Sequence, residues 1–216
     1  MRELITGGQR SGKSARAERL AGQWLAQAPK HRAVFVATAQ AHDADMAKRI
    51  ARHQADRAVR LPSMLTIEEP LRLAQAIQLH SKPDTMVVVD CLTLWLTNLL
   101  MPYVAPSAQL SQPMPPQAKA SHIDTNSKKN GQFSDVDIEY LAMFLGVIRE
   151  SPGPLVFVSN EIGLGVVPMG AQVRHYVDTL GRLNQDVARV CDRVTLMAAG
   201  LPLLLKPSAG DAYAAV

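Results

Sequence analysis

The sequence of 216 residues predicts an α/β fold: a mostly parallel sheet with helices on both faces. Three observations carry this. Short apolar runs, Val34-Phe35-Val36-Ala37-Thr38-Ala39, Met86-Val87-Val88-Val89-Asp90 and Leu155-Val156-Phe157-Val158, have the length and β-branched content of strands buried on both faces. Segments of helical period alternate with them, as in β–α–β crossovers. Between a first apolar run (Leu4, Ile5) and the first helical segment lies Gly7-Gly8-Gln9-Arg10-Ser11-Gly12-Lys13-Ser14, which fits G-x-x-x-x-G-K-[ST]. Strand, glycine-rich loop and helix in that order are the context in which this pattern binds a nucleoside triphosphate. Glycines let successive backbone N–H groups point at a polyphosphate. Lys13 reaches the outer phosphates, and the Ser14 hydroxyl can ligate Mg²⁺. The helix that begins near Lys13 aims its positive end at the same anion. The expected class is therefore P-loop NTPase-like (RecA-like), one domain over 1–216 with a flexible insertion at about 102–134.

Composition narrows the ligands. Apolar residues make up 47% of the chain and the net charge is only +4. The cations gather at Lys48, Arg49, Arg52, Arg57 and Arg60, which suits a small phosphorylated ligand. No basic run with interleaved aromatics occurs, so no nucleic-acid partner is expected. Cys91 and Cys191 have no metal-like spacing; a reducing cytoplasm fits, with one disulfide left open. No charged-then-apolar leader precedes the first strand, and no apolar run reaches about 18 residues, so no membrane span is expected.

In chain order, Ala15 to Ala28 reads as a helix with Ala17, Leu20, Ala21, Trp24 and Leu25 on one side. Asp43 opens the next, to about Arg57, with Asp43 and Asp45 where the dipole favours acids. Met46, Ile50 and Ala47 form its apolar stripe. Arg49, His53 and Arg57 recur at i, i+4, i+8 and share a neighbouring face. Arginines on either side disfavour the imidazolium, which keeps His53 neutral and nucleophilic. A solvated charged face satisfies the same spacing. Thr66-Ile67-Glu68-Glu69-Pro70 leads into a helix from Leu71 to His80.

Asp90 ends its apolar strand where ligands of open α/β sheets bind. An acid there holds Mg²⁺ in phosphate-loop enzymes, and it also suits the N-cap of the helix after it. From Pro102 to about Ser134 the composition turns to Pro, Ser, Gln, Asn and Lys, which reads as a mobile insertion or lid. Asp135 to Glu150 and Arg174 to Val190 are helical. Between them Leu155 to Glu161 is a strand ending in polar groups. Val194 to Met197 and Leu203 to Lys206 close a sheet of four or five short strands.

Taken together, the loop Gly7 to Ser14, Ala37-Thr38-Ala39, Arg49-Ile50-x-x-His53-x-x-x-Arg57, Thr66-Ile67-Glu68-Glu69-Pro70, Val89-Asp90-Cys91-Leu92-Thr93, Val158-Ser159-Asn160-Glu161-Ile162-Gly163 and Gly181-Arg182-Leu183-Asn184-Gln185 resemble the bifunctional adenosylcobinamide kinase / adenosylcobinamide-phosphate guanylyltransferases of cobalamin synthesis. The resemblance covers nearly the whole chain apart from the insertion, which is longer than the family's loop. It implies an enzyme that phosphorylates adenosylcobinamide with ATP or GTP, then transfers GMP from GTP through a guanylyl-histidine. His53 matches the guanylylated histidine. Ala37, Thr38, Ala39, Gln54, Ala55, Asp56, Arg57, Glu68 and Asp90 match nucleotide-contacting positions, beside Gly7 to Ser14. Lys13 is implied as catalytic, with Ser14 and Asp90 on Mg²⁺. Glu68 would accept hydrogen bonds from guanine N1–H and N2–H₂. The resemblance also implies a homo-oligomer, a trimer being one form, acting in the cytoplasm.

Other readings of the residues are a plain small-molecule kinase with His53 merely on the surface, a signalling GTPase and a recombinase-like motor. The GTPase reading lacks Asn-Lys-x-Asp, since Asn160 is followed by Glu161-Ile162-Gly163. The motor reading sits poorly with the modest charge.

Overall fold

In a computed structural model of the protein, residues 1–101, 135–166 and 168–207 are described. The expected insertion at about 102–134 lies outside them. The elements run β1 (Arg2–Gly7), α1 (Lys13–Gln27), β2 (Arg32–Ala37), α2 (Ala44–Arg60), β3 (Leu65–Glu68), α3 (Leu73–His80), β4 (Thr85–Asp90), α4 (Leu92–Leu100), α5 (Asp135–Glu150), β5 (Leu155–Val158), α6 (Ala171–Val190), β6 (Arg193–Ala198) and β7 (Leu201–Lys206).

The strands form one seven-stranded sheet in the order β3-β2-β4-β5-β1-β6-β7. Every neighbouring pair is parallel except β6 with β7. The strand ending in Asp90 is separated from the phosphate-loop strand by β5, the topology expected of the RecA-like class. From β1 the chain crosses to β2 and β3, returns through β4 and β5 to lie beside β1, and then passes to β6 and β7 on the other side of β1. The carboxyl ends of β1, β4 and β5 therefore border the crevice where such sheets bind ligands.

Two apolar layers hold the sheet. On one face, Trp95, Phe144, Ile148, Leu180 and Leu183 from α4, α5 and α6 pack on Leu4, Val87, Val89 and Phe157. On the other, Ala17 and Ala21 of α1 lie against Ile5, Phe35, Val88 and Val156. The Trp95 ring meets Phe144 at a centroid distance of 4.8 Å, and its indole N–H donates to Leu71 O at 2.9 Å. Apolar burial thus comes with a satisfied polar tip.

The sheet has more strands than the four or five the apolar runs predict. β3 is the strand read as a lead-in to a helix: Val34 to Ala37 of β2 pair with Leu65 to Glu68. It is an edge strand with no fully buried residue, so it needs no apolar run to exist. Beyond β3 the chain does lead into a helix as expected. Glu69 Oε1 accepts from the backbone N–H groups of Leu71 and Arg72 and turns the chain toward α3. The last long helix starts at Ala171, a little before Arg174. Cys91 and Cys191 are buried and free, which closes the disulfide question. Among the described residues no helix is long and apolar enough to cross a membrane.

A candidate active site between the phosphate loop and the second helix

The loop after β1 is shaped by two positive-φ glycines, Gly7 (φ 145°) and Gly12 (φ 100°). A Cβ on Gly7 would stand 2.4 Å from the Met197 carbonyl oxygen and 2.7 Å from Ser11 Oγ. Backbone approach, as well as φ, therefore requires glycine there. Gly12 caps α1 at its N-terminus, and Arg16 N closes the first turn on Gly12 O at 3.0 Å. Lys13 Nζ donates to Gly8 O at 2.6 Å, and burial lowers the Lys13 pKa against the opposing pull of Asp90. The buried Ser11 Oγ has no hydrogen-bond partner among the described residues. An unsatisfied buried hydroxyl in a loop of this kind is a ready contact for a phosphate oxygen.

Asp90 ends β4 beside this loop. Burial raises its pKa, while a hydrogen bond from the Ser14 hydroxyl and the charges of Lys13, His53 and Arg57 draw it down. Thr38 braces that strand end: its hydroxyl donates to Cys91 O and accepts from Cys91 N, both at 2.8 Å. Its side chain is fully buried and engaged in structure.

α2 closes the site from above. Asp43 caps it as expected, with Oδ1 accepting from Met46 N at 2.7 Å. Its only buried residue is Arg57, so Met46 and Ile50, the expected apolar stripe, border the cavity rather than the core. Polar ties fix the helix instead. The Gln9 amide oxygen, oriented to satisfy both groups, accepts from Arg49 Nη2 at 2.8 Å and Nη1 at 3.2 Å. Gln54 Nε2 donates to Glu68 Oε1 at 3.0 Å, and Arg60 pairs with Glu18 at 2.9 Å. The Arg57 guanidinium stacks 3.7 Å from the Phe35 ring centroid, and its Nε donates to Thr66 Oγ1 at 3.2 Å.

Loop and helix enclose a cavity of about 790 Å³, within the range of small-ligand sites. Of the expected site residues, Gln9 to Ser14, Ala37, Ala39, His53, Gln54, Arg57, Glu68 and Asp90 line it. Gly7, Gly8, Thr38, Ala55 and Asp56 do not; the first two shape the loop, and the last two are on the exposed side of α2. The face carrying Arg49, His53 and Arg57 is thus a cavity wall and not a solvated stripe. Asn160, at the end of β5, also lines the cavity and was not among the expected site residues. A polar residue closing an apolar strand was the available signal, the same one that marks Asp90.

The His53 pKa is lowered, first by burial and then by Arg49, with Arg52 adding to the effect and Asp90 and Asp56 opposing it. The expected direction holds, but burial is the larger cause, and the second arginine acting on the ring is Arg52 rather than Arg57. A neutral imidazole therefore shares one cavity with a phosphate loop, a lysine and an acid–serine pair. Such a set can hold a triphosphate and present a nitrogen nucleophile to it.

Residues 3–205 match the family described as cobinamide kinase / cobinamide phosphate guanyltransferase. The chain belongs to that family. Within it, the protein is 42% identical over 207 residues to the bifunctional adenosylcobalamin biosynthesis protein CobP of Pseudomonas aeruginosa, covering 95% of this chain and 98% of that one. It is 32% identical over 204 residues to the CobU protein of the same description from Salmonella typhimurium, covering 94% and 98%. Among solved structures it resembles the flagellar accessory protein FlaH from Methanocaldococcus jannaschii, at 12% identity and a TM-score of 0.48 over 96% of this chain and 78% of that one.

Proposed function

We propose that this enzyme phosphorylates the aminopropanol hydroxyl of adenosylcobinamide with ATP or GTP, then transfers GMP from GTP to adenosylcobinamide phosphate, giving adenosylcobinamide-GDP. In the second reaction an imidazole nitrogen of His53 attacks the α-phosphorus of GTP and pyrophosphate leaves. A phosphate oxygen of adenosylcobinamide phosphate then attacks the same phosphorus and frees the histidine. Splitting one exchange into two displacements is the benefit of a covalent intermediate. The observation that carries the reading is the common cavity of His53, Lys13 and Ser14. In both reactions loop amides and Lys13 would stabilise charge on the transferred group. Arg49 would hold phosphate oxygens near His53, and Glu68 would read the guanine edge.

The residues fit Mg²⁺. Ser14 and Asp90 put a hydroxyl and a carboxylate in hydrogen-bond contact, while no group of three or more metal-binding side chains occurs among the described residues. One or two protein oxygens, completed by phosphates and water, are what this ion uses. When bound, Mg²⁺ would neutralise phosphate charge as it develops.

The test is incubation with α-labelled GTP. Wild type should carry an acid-labile, alkali-stable label, and absence of labelled protein in active enzyme would reject the histidine pathway. The lowered His53 pKa gives this reaction a pH signature. Attack needs the neutral ring, so the labelling rate should hold below the ordinary histidine value of about 6.5 and fall only at more acidic pH. A rate already declining between neutrality and that value would contradict it.

Two further parts of the proposal concern setting. The buried free cysteines suit a reducing cytoplasm. The edge strand β7 exposes Leu201, Leu203, Leu204 and Leu205, an apolar edge that suits a second copy of the chain. Sedimentation equilibrium should therefore give an oligomeric mass that falls in Leu203→Lys/Leu205→Lys; a monomeric wild type would sink the self-association proposal.

A further inference from the structure

The chain of contacts at the end of β5 has no part in the steps above. β5 lies between β1 and β4, so its carboxyl end sits between the phosphate loop and Asp90. Ser159 N donates to Ile5 O at 2.9 Å, and Glu161 N donates to Gly7 O, at the start of the loop, at 3.2 Å. From the α4 side, the Thr93 hydroxyl accepts from Asn160 N at 2.8 Å. From α6, the buried Asn184 acts as a clamp. Its Oδ1 accepts from Ser159 Oγ at 2.6 Å, and its Nδ2 donates to Asn160 O at 3.1 Å and to Glu161 Oε1 at 2.9 Å. Asn160 lines the cavity. Backbone and side chain of the next residue are thus held beside the loop, the backbone by Gly7 O and the carboxylate through Oε1 by Asn184.

We propose that Glu161 is the base that takes the proton from the acceptor hydroxyl during phosphoryl transfer. The proposal rests on the kinase half of the function above. The hydroxyl oxygen forms the new bond to the γ-phosphorus. The bond from that phosphorus to the β,γ-bridging oxygen breaks, its electron pair leaving on the nucleoside diphosphate, and the hydroxyl proton passes to Glu161 Oε2.

Of the four carboxylates lining the cavity, Asp45, Asp90, Glu18 and Glu68, Asp90 is engaged by Ser14, Glu18 by Arg60 and Glu68 by Gln54, while Asp45 lies in the first turn of α2. Glu161 follows the lining residue Asn160 and is tied to the loop through Gly7. The Gly7 carbonyl of the loop accepts from the Glu161 backbone N–H, and the Asn184 amide of α6 donates to its carboxylate. Burial raises its pKa, and the Asn184 hydrogen bond opposes the rise. A carboxylate moved toward neutrality from below is a better proton acceptor at working pH. Beyond it the loop exposes Ile162, Leu164, Val166 and Met169.

The experiment uses the full chain and Glu161→Gln, whose amide oxygen can still accept from Asn184. Phosphorylation of adenosylcobinamide by ATP is followed as kcat and KM across pH, beside labelling by α-labelled GTP. The expected result is a kcat lowered about 10²- to 10⁴-fold, a KM little changed, and loss of the acidic limb that wild type shows above the ordinary glutamate range. Labelling of His53, which needs no acceptor hydroxyl, should persist. Glu161→Asp keeps the carboxylate and should recover part of the rate together with the acidic limb. A Gln variant with wild-type kcat and pH profile overturns the assignment, as does an Asp variant no better than Gln. A wild type that labels at His53 but never phosphorylates adenosylcobinamide overturns the kinase reading itself, and this assignment with it.

Discussion

Lys13→Ala is expected to abolish phosphorylation of adenosylcobinamide and labelling by GTP together. Both reactions are proposed to use one triphosphate site, and Lys13 is the buried cation of its loop, 8% exposed. Its ammonium donates to Gly8 O at 2.6 Å, poised at the mouth of the loop. Removing one preorganised donor from such a site costs on the order of 10²- to 10³-fold in rate, roughly 3–4 kcal/mol. Here a formal charge goes as well, so losses at or beyond that range are expected in each half-reaction. The check is to assay the two separately, with adenosylcobinamide phosphate supplied directly for the second. If guanylyl transfer survives while the kinase is lost, a second nucleotide site exists and the single-cavity reading is wrong. Circular dichroism would show whether the loop change reaches the fold.

His53→Ala should instead be selective. The label and the transfer of GMP should disappear while phosphorylation persists, because the loop, Lys13 and Asp90 remain in place. Deleting the nucleophile of a covalent pathway costs on the order of 10⁶-fold, so the transferase should fall to background. His53 is half-buried and is not part of either apolar layer, so stability should change little. Label retained on the variant would put the nucleophile elsewhere. Loss of the kinase as well would mean that the ring also positions the γ-phosphate.

Much of the site was legible because its parts are local. A glycine-rich loop between a strand and a helix needs only its own residues, and its match holds down to the left-handed Gly12 at the helix cap. Asp90 was legible by position, as a carboxylate ending an apolar run. The Arg49–His53–Arg57 spacing set three side chains on one helix face but could not say what that face looks at. A solvated stripe and a cavity wall have the same period, and only the resemblance to a family favoured the second. The second arginine acting on His53 was misjudged for a related reason. Spacing ranks neighbours along a helix, whereas Arg57 is drawn down onto Phe35 and Thr66, leaving Arg52 as the other arginine that lowers the ring's pKa.

The amino-acid order by itself determined the phosphate loop, the alternation of strands and helices, the acid at the end of β4 and the family. The first three rest on residues close together in the chain, where propensity, periodicity and turn chemistry act, and the family on a series of such local motifs in order along it. Tertiary structure alone decided that β3 is a strand, because an exposed edge is defined by its partner β2 and not by an apolar run of its own. It alone decided that α2 closes over the loop through the Gln9–Arg49 and Gln54–Glu68 pairs, and that Asn184 reaches back to hold Glu161 beside Gly7. Those contacts join residues far apart in sequence, and nothing local sets the distance between them until the sheet brings the strand ends together.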